Sequence, residues 1–377
     1  MAAESIPDFS PSLAGKFRNA AQILQDAVES RVFPGAVCAI GHRDELAVLP
    51  VGKLSYAEDA AAVTAETIYD LASLTKVVAT TTAVMLLVER GAMALDSEVA
   101  AYLPQFIAPN DNGPDRFEVA RSHVLVRHLL AHSSGLPAYE KFYLRAREKQ
   151  HVIEEAMAMP LEALPGQRTL YSDLGFILLG EIVERVSKTP LDRFAQREIF
   201  DPLDMRQTCF NPPQEWRERI APTELDESFR KRLLWGEVHD ENAWVMGGVA
   251  GHAGLFGTAG DLARFCRMML REGRTDGAPL IRPETIQEFT RSWPASEGAP
   301  RALGWDRPSW PYSSSGRRFS PASYGHLGFT GTSIWIDPQQ SLFVILLSNR
   351  VHPTRANDAI KKLRPAVHDA VVEAIAV

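Results

Sequence analysis

A serine and a lysine three residues apart, in Ser73-Leu74-Thr75-Lys76, are the strongest chemical signal in this chain. A serine hydroxyl is a weak nucleophile at neutral pH and needs a base within hydrogen-bond reach. A lysine can be that base once its ammonium is destabilised, by burial or by the positive end of a helix dipole. The run from Val77 to Arg90 holds neither proline nor glycine, and Gly91 follows it. The spacing therefore predicts a buried helix stopped by Gly91, with Ser73 in its first turn and Lys76 one turn later on the same face. Unpaired N–H groups at such a helix start can also hold an oxyanion. Alone, the pattern equally fits a helix cap followed by a solvated lysine, so the rest of the chain has to decide.

The elements around this stretch suggest a two-part layout. A helix is read over residues 14–32, with Phe17, Ala21, Leu24 and Ala27 on one stripe. Two strand-like runs follow, Ala36–Ile40 and Leu46–Val51, separated by a polar turn. Residues 86–235 carry almost no strand signal and read as an all-helical block, with a surface loop at 107–122 and helices near 124–131, 139–160, 174–187 and 194–203. The five glycines between Met246 and Thr258 argue for a backbone-driven loop rather than a helix or a central strand. Residues 328–337 and 342–349 return to strand pattern around Pro338-Gln339-Gln340, and a helix over about 354–376 closes the chain. The expected fold is α/β (α+β): a mixed, mainly antiparallel sheet flanked by helices. Its discontinuous sheet domain spans 1–85 and 240–377, and an all-helical domain, 86–239, is inserted between.

Composition narrows the function classes. The chain has 377 residues, 45% of them hydrophobic and 23% charged, an ordinary globular balance. Net charge is −7 and no Lys/Arg-rich block occurs, so nucleic acid is not an expected partner. The apolar runs read as too short and too mixed for a membrane span. Met1 to Phe9 lacks a basic segment and an apolar segment, so no signal peptide is read and a cytoplasmic location is expected. Cys38, Cys209 and Cys266 lie far apart among apolar neighbours and read as buried free thiols. Oligomeric state is not legible.

With Tyr171-Ser172-Asp173 and His326-Leu327-Gly328 added, the chain resembles the serine β-lactamase and penicillin-binding-protein superfamily, in particular its class C-like esterase, amidase and peptidase branch. Ser73-Leu74-Thr75-Lys76 matches the S-x-x-K motif. Tyr171-Ser172-Asp173 stands where the family has Y-x-N or Y-x-D. His326-Leu327-Gly328 takes the place of K-T-G. Leu129 to Pro137 and Pro165-Gly166 also fit, and the resemblance covers nearly the whole chain. It implies Ser73 as nucleophile, Lys76 as its base partner and Tyr171 as a second acid/base. It implies an oxyanion hole from the backbone N–H groups of Ser73 and Phe329, with Gly328 letting its strand approach the substrate. Asp173, His326, Gly328 and His252 are expected at the substrate. No cofactor is implied. His239, Asp240 and His252 are a ligand set in kind, but their spacing is loose and no metal is expected. The loop 239–254 is read as a wall of the cleft, and His132 as a structural capping histidine.

Two departures from the family pattern bear on substrate. His326 is largely neutral at pH 7, so the fixed cation of K-T-G is missing. Asp173 adds a negative charge that raises the Lys76 pKa and opposes its role as base, leaving more of that role to Tyr171. The expected reaction is acyl transfer through an acyl-enzyme at Ser73, on a small ester or amide, including D-amino-acid or muropeptide-type substrates. A penicillin-binding D,D-peptidase or β-lactamase is the alternative within enzymes. A catalytically silent binding protein is the alternative outside them, and the presence of Ser73, Lys76 and Tyr171 together argues against it.

Overall fold

The computed structural model describes residues 15–107, 117–294 and 297–376. The Met1–Phe9 stretch and most of the 107–122 loop lie outside the described residues. Ten strands are described: β1 (Gly35–His42), β2 (Glu45–Gly52), β3 (Tyr69–Asp70), β4 (Cys209–Phe210), β5 (Leu225–Asp226), β6 (Arg232–Leu233), β7 (Leu255–Gly257), β8 (Tyr324–Leu327), β9 (Ser333–Asp337) and β10 (Leu342–Ser348). The main sheet has the order β2-β1-β10-β9-β8 and is antiparallel throughout. The two ends of the chain meet in it, with Ala36 opposite Ser348 and His42 opposite Leu342.

Both faces of this sheet are covered, so its strands read as continuous apolar runs rather than alternating ones. The period of two still sorts the side chains. Cys38, Ile40, Val344 and Leu346 face one way, onto the helices Arg18–Glu29 and Ile360–Ile375. Val37, Ala39, Ile345 and Leu347 face the other way, into the larger core shared with the helix Ala259–Leu270 and the serine segment. A one-residue slip of β1 against β10 would exchange these two sets, so the two cores fix the register.

The expected mixed architecture is present, but several local readings are corrected. The serine segment is not a plain α-helix. A 3₁₀ turn, Ala72–Leu74, leads into a π-helical stretch, Lys76–Thr81, and only Thr82–Glu89 is α-helical. Wide turns of this kind occur frequently at functional sites. The 139–160 helix is only Lys149–Ala158, preceded by a 3₁₀ turn at Phe142–Leu144. Strands β4, β5 and β6 fall inside the stretch read as all-helical. The Gly-rich loop contains β7, which is the central strand of a second sheet, β3-β7-β4. The run 328–337 is not one strand, because 328–332 is the turn joining β8 to β9. The last helix starts at Ile360 rather than near 354. Finally, the 18 residues Ala72–Glu89 are long and apolar enough to cross a membrane, contrary to the reading of the apolar runs, yet 83% of that window is buried inside the protein. The apolarity of this segment therefore serves the core.

Candidate active site

Ser73 projects from a turn whose backbone is held in a costly shape. Ala72 has φ +47°, in the left-handed region that a residue with a Cβ rarely adopts. Two buried side chains, with strand β7 behind them, over-determine it. The Asp70 carboxylate accepts the Ala72 N–H at 2.8 Å and the His239 N–H at 2.7 Å. The Thr75 hydroxyl donates to the Ala72 carbonyl at 2.6 Å and accepts the Leu255 N–H at 3.1 Å. Strained backbone of this kind persists only where the surroundings enforce it. Strand β7, missed in the sequence, is one of those enforcers.

Lys76 is fully buried, and its ammonium has two hydrogen-bond acceptors and one carboxylate beside it. It donates to Ser73 Oγ at 3.0 Å and to the His252 carbonyl at 3.0 Å, and it pairs with Asp173 Oδ1 at 2.7 Å. Burial pulls the ammonium pKa down, but the Asp173 carboxylate and the Tyr171 oxygen outweigh it and leave it above its ordinary value. Asp173 opens the helix Asp173–Ser187, capped by Ser172, whose Oγ accepts the Gly175 N–H and donates to the Pro137 carbonyl at 2.6 Å.

Tyr171 lies beside both Ser73 and Lys76, with the Lys76 ammonium 4.9 Å from the centre of its ring. Burial raises its pKa, Lys76 opposes this, and the net shift is upward, so the resting phenol keeps its proton. The ring of Tyr171 packs on His132 with centroids 4.6 Å apart, and His132 Nδ1 accepts the Ser172 N–H at 3.0 Å. His132 thus shapes the Tyr171 motif, through a contact that only the tertiary structure reveals. Burial, with Arg301 and Lys76 nearby, holds His132 well below the usual histidine pKa, so it is neutral.

On the opposite wall, His326 lies on β8, 1% exposed. Its Nδ1 sits 2.9 Å from the Leu327 carbonyl, which assigns the ring proton to Nδ1 and leaves Nε2 as a bare acceptor. Burial lowers its pKa to about 4, with Lys76 and Arg301 adding to the effect against Asp306. The Phe329 N–H, in the β8–β9 turn, has no backbone acceptor among the described residues. The turn is fixed from behind. Buried Arg364 donates to the Gly328 and Thr332 carbonyls at 3.0 and 2.8 Å, and Arg350 donates to the Phe329 carbonyl at 2.8 Å.

These groups line one cleft of about 1150 Å³, whose wall includes Ser73, Tyr171, Asp173, His326, Gly328 and Phe329. Two sequence expectations change here. The His252 ring does not face the cleft. It is 1% exposed and bonds Asp240 Oδ1 through Nε2 at 2.9 Å, and its contribution is the carbonyl that holds Lys76. Gly328 is needed less for substrate approach than for the turn itself: a Cβ there would clash with Thr332 and come within 2.7 Å of the Leu71 carbonyl, just before the serine turn. His239 and His252 bond different carboxylates, Glu224 and Asp240. His239, Asp240 and Glu241 do line the cleft.

One residue at the site carried no sequence signal. Arg301 lines the cleft, its guanidinium 5.3 Å from the centre of the Tyr171 ring, ion-paired with Asp306. Its Nε is buried without a partner. Arg301 thus brings a cation to the cleft from a segment between a Pro-rich stretch and a Leu-Gly-Trp turn that show no motif spacing to Ser73.

A family model described as Beta-lactamase matches residues 20–367. A protein of Escherichia coli (strain K12) named "Putative D-alanyl-D-alanine carboxypeptidase" is 37% identical over 316 residues, 77% of this chain and 70% of that protein. Among solved structures, a penicillin-binding protein homologue from Caulobacter crescentus superposes with a TM-score of 0.74 at 20% identity, covering 99% of each chain. A hydrolase with promiscuous acyltransferase activity gives 0.73 at 20% identity, covering 95% of this chain and 100% of that one. At such identities the two structures speak for the fold alone.

Proposed function

The chain belongs to the beta-lactamase family of serine hydrolases, and on that premise we propose that it forms an acyl-enzyme at Ser73 and cleaves an amide whose leaving group ends in a carboxylate, as in a D-alanyl-D-alanine peptide. Ser73 Oγ bonds to the carbonyl carbon as its proton passes to the Lys76–Tyr171 pair, and the oxyanion is held by the N–H groups of Ser73 and Phe329. Collapse breaks the C–N bond, and the same pair returns the proton to the leaving nitrogen. Water then repeats the sequence on the ester. Because Lys76 and Tyr171 both rest protonated, the pair must first lose one proton, so the base form is alkaline. Tyr171 stands beside both Ser73 and Lys76, placed to carry a proton between nucleophile and ammonium.

The observation that carries the substrate reading is Arg301. It is a guanidinium recessed to 11% exposure beside Tyr171 and His326, held by one carboxylate, and able to fork onto a substrate carboxylate. The relatives named for D-alanyl-D-alanine carboxypeptidase activity agree with that chemistry. A neutral ester remains the second reading, favoured by the uncharged His326 in the place of a lysine.

A substrate panel tests both. A peptide ending in D-alanyl-D-alanine should turn over faster than its C-terminal amide, and Arg301→Gln should raise KM for the acid about tenfold or more while leaving a p-nitrophenyl ester unaffected. Faster turnover of the ester and amide, with no effect of Arg301→Gln, would hand the site to the ester reading. Efficient nitrocefin hydrolysis without peptidase activity would make it a β-lactamase. A covalent mass shift with penicillin or a fluorophosphonate, lost in Ser73→Ala, tests the acyl-enzyme itself.

A further inference from the structure

A second cavity, about 730 Å³, lies between the Pro202–Arg206 segment and the end of the helix Ala259–Leu270 with the turn after it. It shares no lining residue with the cleft that holds Ser73. Five arginines line it: Arg206, Arg264, Arg267, Arg271 and Arg274. The spacing of 264, 267 and 271 puts three guanidinium groups on one helix face, where like charges repel.

The local carboxylates do not neutralise them. Asp204 takes both Arg206 and Arg264. Asp276 takes Arg271 at 2.7 Å, and Asp44, from the β1–β2 turn, takes its other nitrogen at 3.2 Å. Among the described residues, Arg267 and Arg274 have no ion pair and no side-chain hydrogen bond. Arg267 is the informative one. Its Nε and Nη2 are both out of solvent with no acceptor, and Arg264 Nε is in the same condition. Arg267 lies between Arg264 and Arg271, and burial together with the Arg271 charge lowers its pKa. A desolvated guanidinium fork without an acceptor is costly, and it becomes favourable when an oxyanion completes it.

We propose that this cavity is a binding site for a phosphate-type oxyanion, seated bidentately on Arg267 and enclosed by Arg264, Arg271 and Arg274. A guanidinium presents its donors in a planar fork that matches two oxygens of one phosphate, and several such forks converge here. The ligand is either a small soluble phosphate compound or a phosphate headgroup of an anionic lipid. The site stands apart from the hydrolase reading, because none of its residues touches the Ser73 cleft.

The test uses the full chain and inorganic phosphate as the probe, titrated at constant ionic strength against chloride. Phosphate should raise Tm saturably, and Arg267→Gln should weaken that response at least tenfold while ester hydrolysis at Ser73 stays unchanged. Arg274→Gln, at an exposed position, should weaken it less; it carries the test if Arg267→Gln does not fold. A wild-type response equal to that in chloride, or one that survives undiminished in the folded variants, overturns the proposal. Vesicles containing phosphatidylglycerol separate the two sources: co-sedimentation lost in Arg267→Gln supports a headgroup, and binding of free phosphate without co-sedimentation supports a soluble ligand.

Discussion

The Lys76 ammonium stands 2.7 Å from the Asp173 carboxylate in a site where Lys76 has no exposure at all. This pair sets the proton inventory of the active site. Burial alone would make Lys76 a ready base; the carboxylate reverses the direction and keeps it charged. Asp173→Asn removes the stabilising charge, so the ammonium pKa must fall. The base form then appears at lower pH, and the acid limb of kcat/KM should move down by about 1–3 pH units. Profiles of the two proteins on one neutral substrate check this. An acid limb that stays in place would mean that another group, not Lys76, titrates in the rate.

Gly328 separates the turn that carries Phe329 from the serine turn. A Cβ at 328 would press on the Leu71 carbonyl at 2.7 Å and on the Thr332 side chain. Both neighbours belong to the scaffold, since Thr332 Oγ1 itself donates to the Leu71 carbonyl at 3.0 Å. Gly328→Ala should therefore displace the Phe329 N–H relative to Ser73. Loss of one oxyanion donor costs roughly 10²–10³ in kcat. The expected pattern is a kcat loss of that order with KM nearly unchanged. An equal loss of thermal stability with normal kcat in the folded fraction would assign Gly328 to folding alone.

The parts of the site that were legible in the sequence are those written in local spacing. Ser73 and Lys76 sit one turn apart, and Tyr171 and Asp173 flank the cap of a helix, so residue type and distance along the chain carried the signal. The main sheet was legible because β1, β2 and β10 are long enough to show apolar runs. Strands β3, β4 and β7 were not, because two or three residues cannot display a period of two, and glycine in Leu255-Phe256-Gly257 argues against a strand. The π-helical Lys76–Thr81 has ordinary helix composition; its wide turns arise from packing. His252 was misread because its ring and its carbonyl point to different partners, which no sequence pattern encodes. Arg301 reaches the cleft from a distant segment and has no local signature.

Acid stability should depend on Glu224. This carboxylate bonds His239 Nε2 at 2.9 Å and pairs with Arg355 at 2.6 Å. Burial opposes its charge, but the bonds to His239 and Arg355 win and hold its pKa near about 2, below the ordinary 4.5. A depressed folded-state pKa means that the unfolded chain binds the proton more tightly. The stabilisation is complete above about 4.5 and drains away as pH falls toward 2. Glu224→Gln should lower Tm at pH 7 and flatten the dependence of Tm on pH across that window. A parallel curve, merely lower, would place the acid sensitivity on other carboxylates.

Two glycines on one helix should respond in opposite ways to the same substitution. Both lie in Asp173–Ser187, where alanine is intrinsically favoured over glycine by about 1 kcal/mol. At Gly175 an added Cβ meets nothing closer than the Leu129 carbonyl at 3.5 Å, an ordinary contact. Gly175→Ala should thus be neutral to stabilising, with kcat unchanged. At Gly180 the Cβ would lie 2.9 Å from the Gly251 Cα and N, both backbone atoms that cannot rotate away. Overpacking of that kind costs about 1–3 kcal/mol, enough to cancel or exceed the propensity gain. The displaced segment also does chemical work. The Gly251 carbonyl accepts from Thr80 at 2.7 Å, and the adjacent His252 carbonyl accepts from Lys76 at 3.0 Å. Moving it frees one Lys76 donor and lets the ammonium drift from Ser73. Gly180→Ala should therefore lower kcat at least tenfold along with Tm, whereas Gly175→Ala lowers neither. Tm and kcat measured on both variants decide the matter, and a Gly180→Ala protein with full activity would show that the 251–252 segment does not position Lys76.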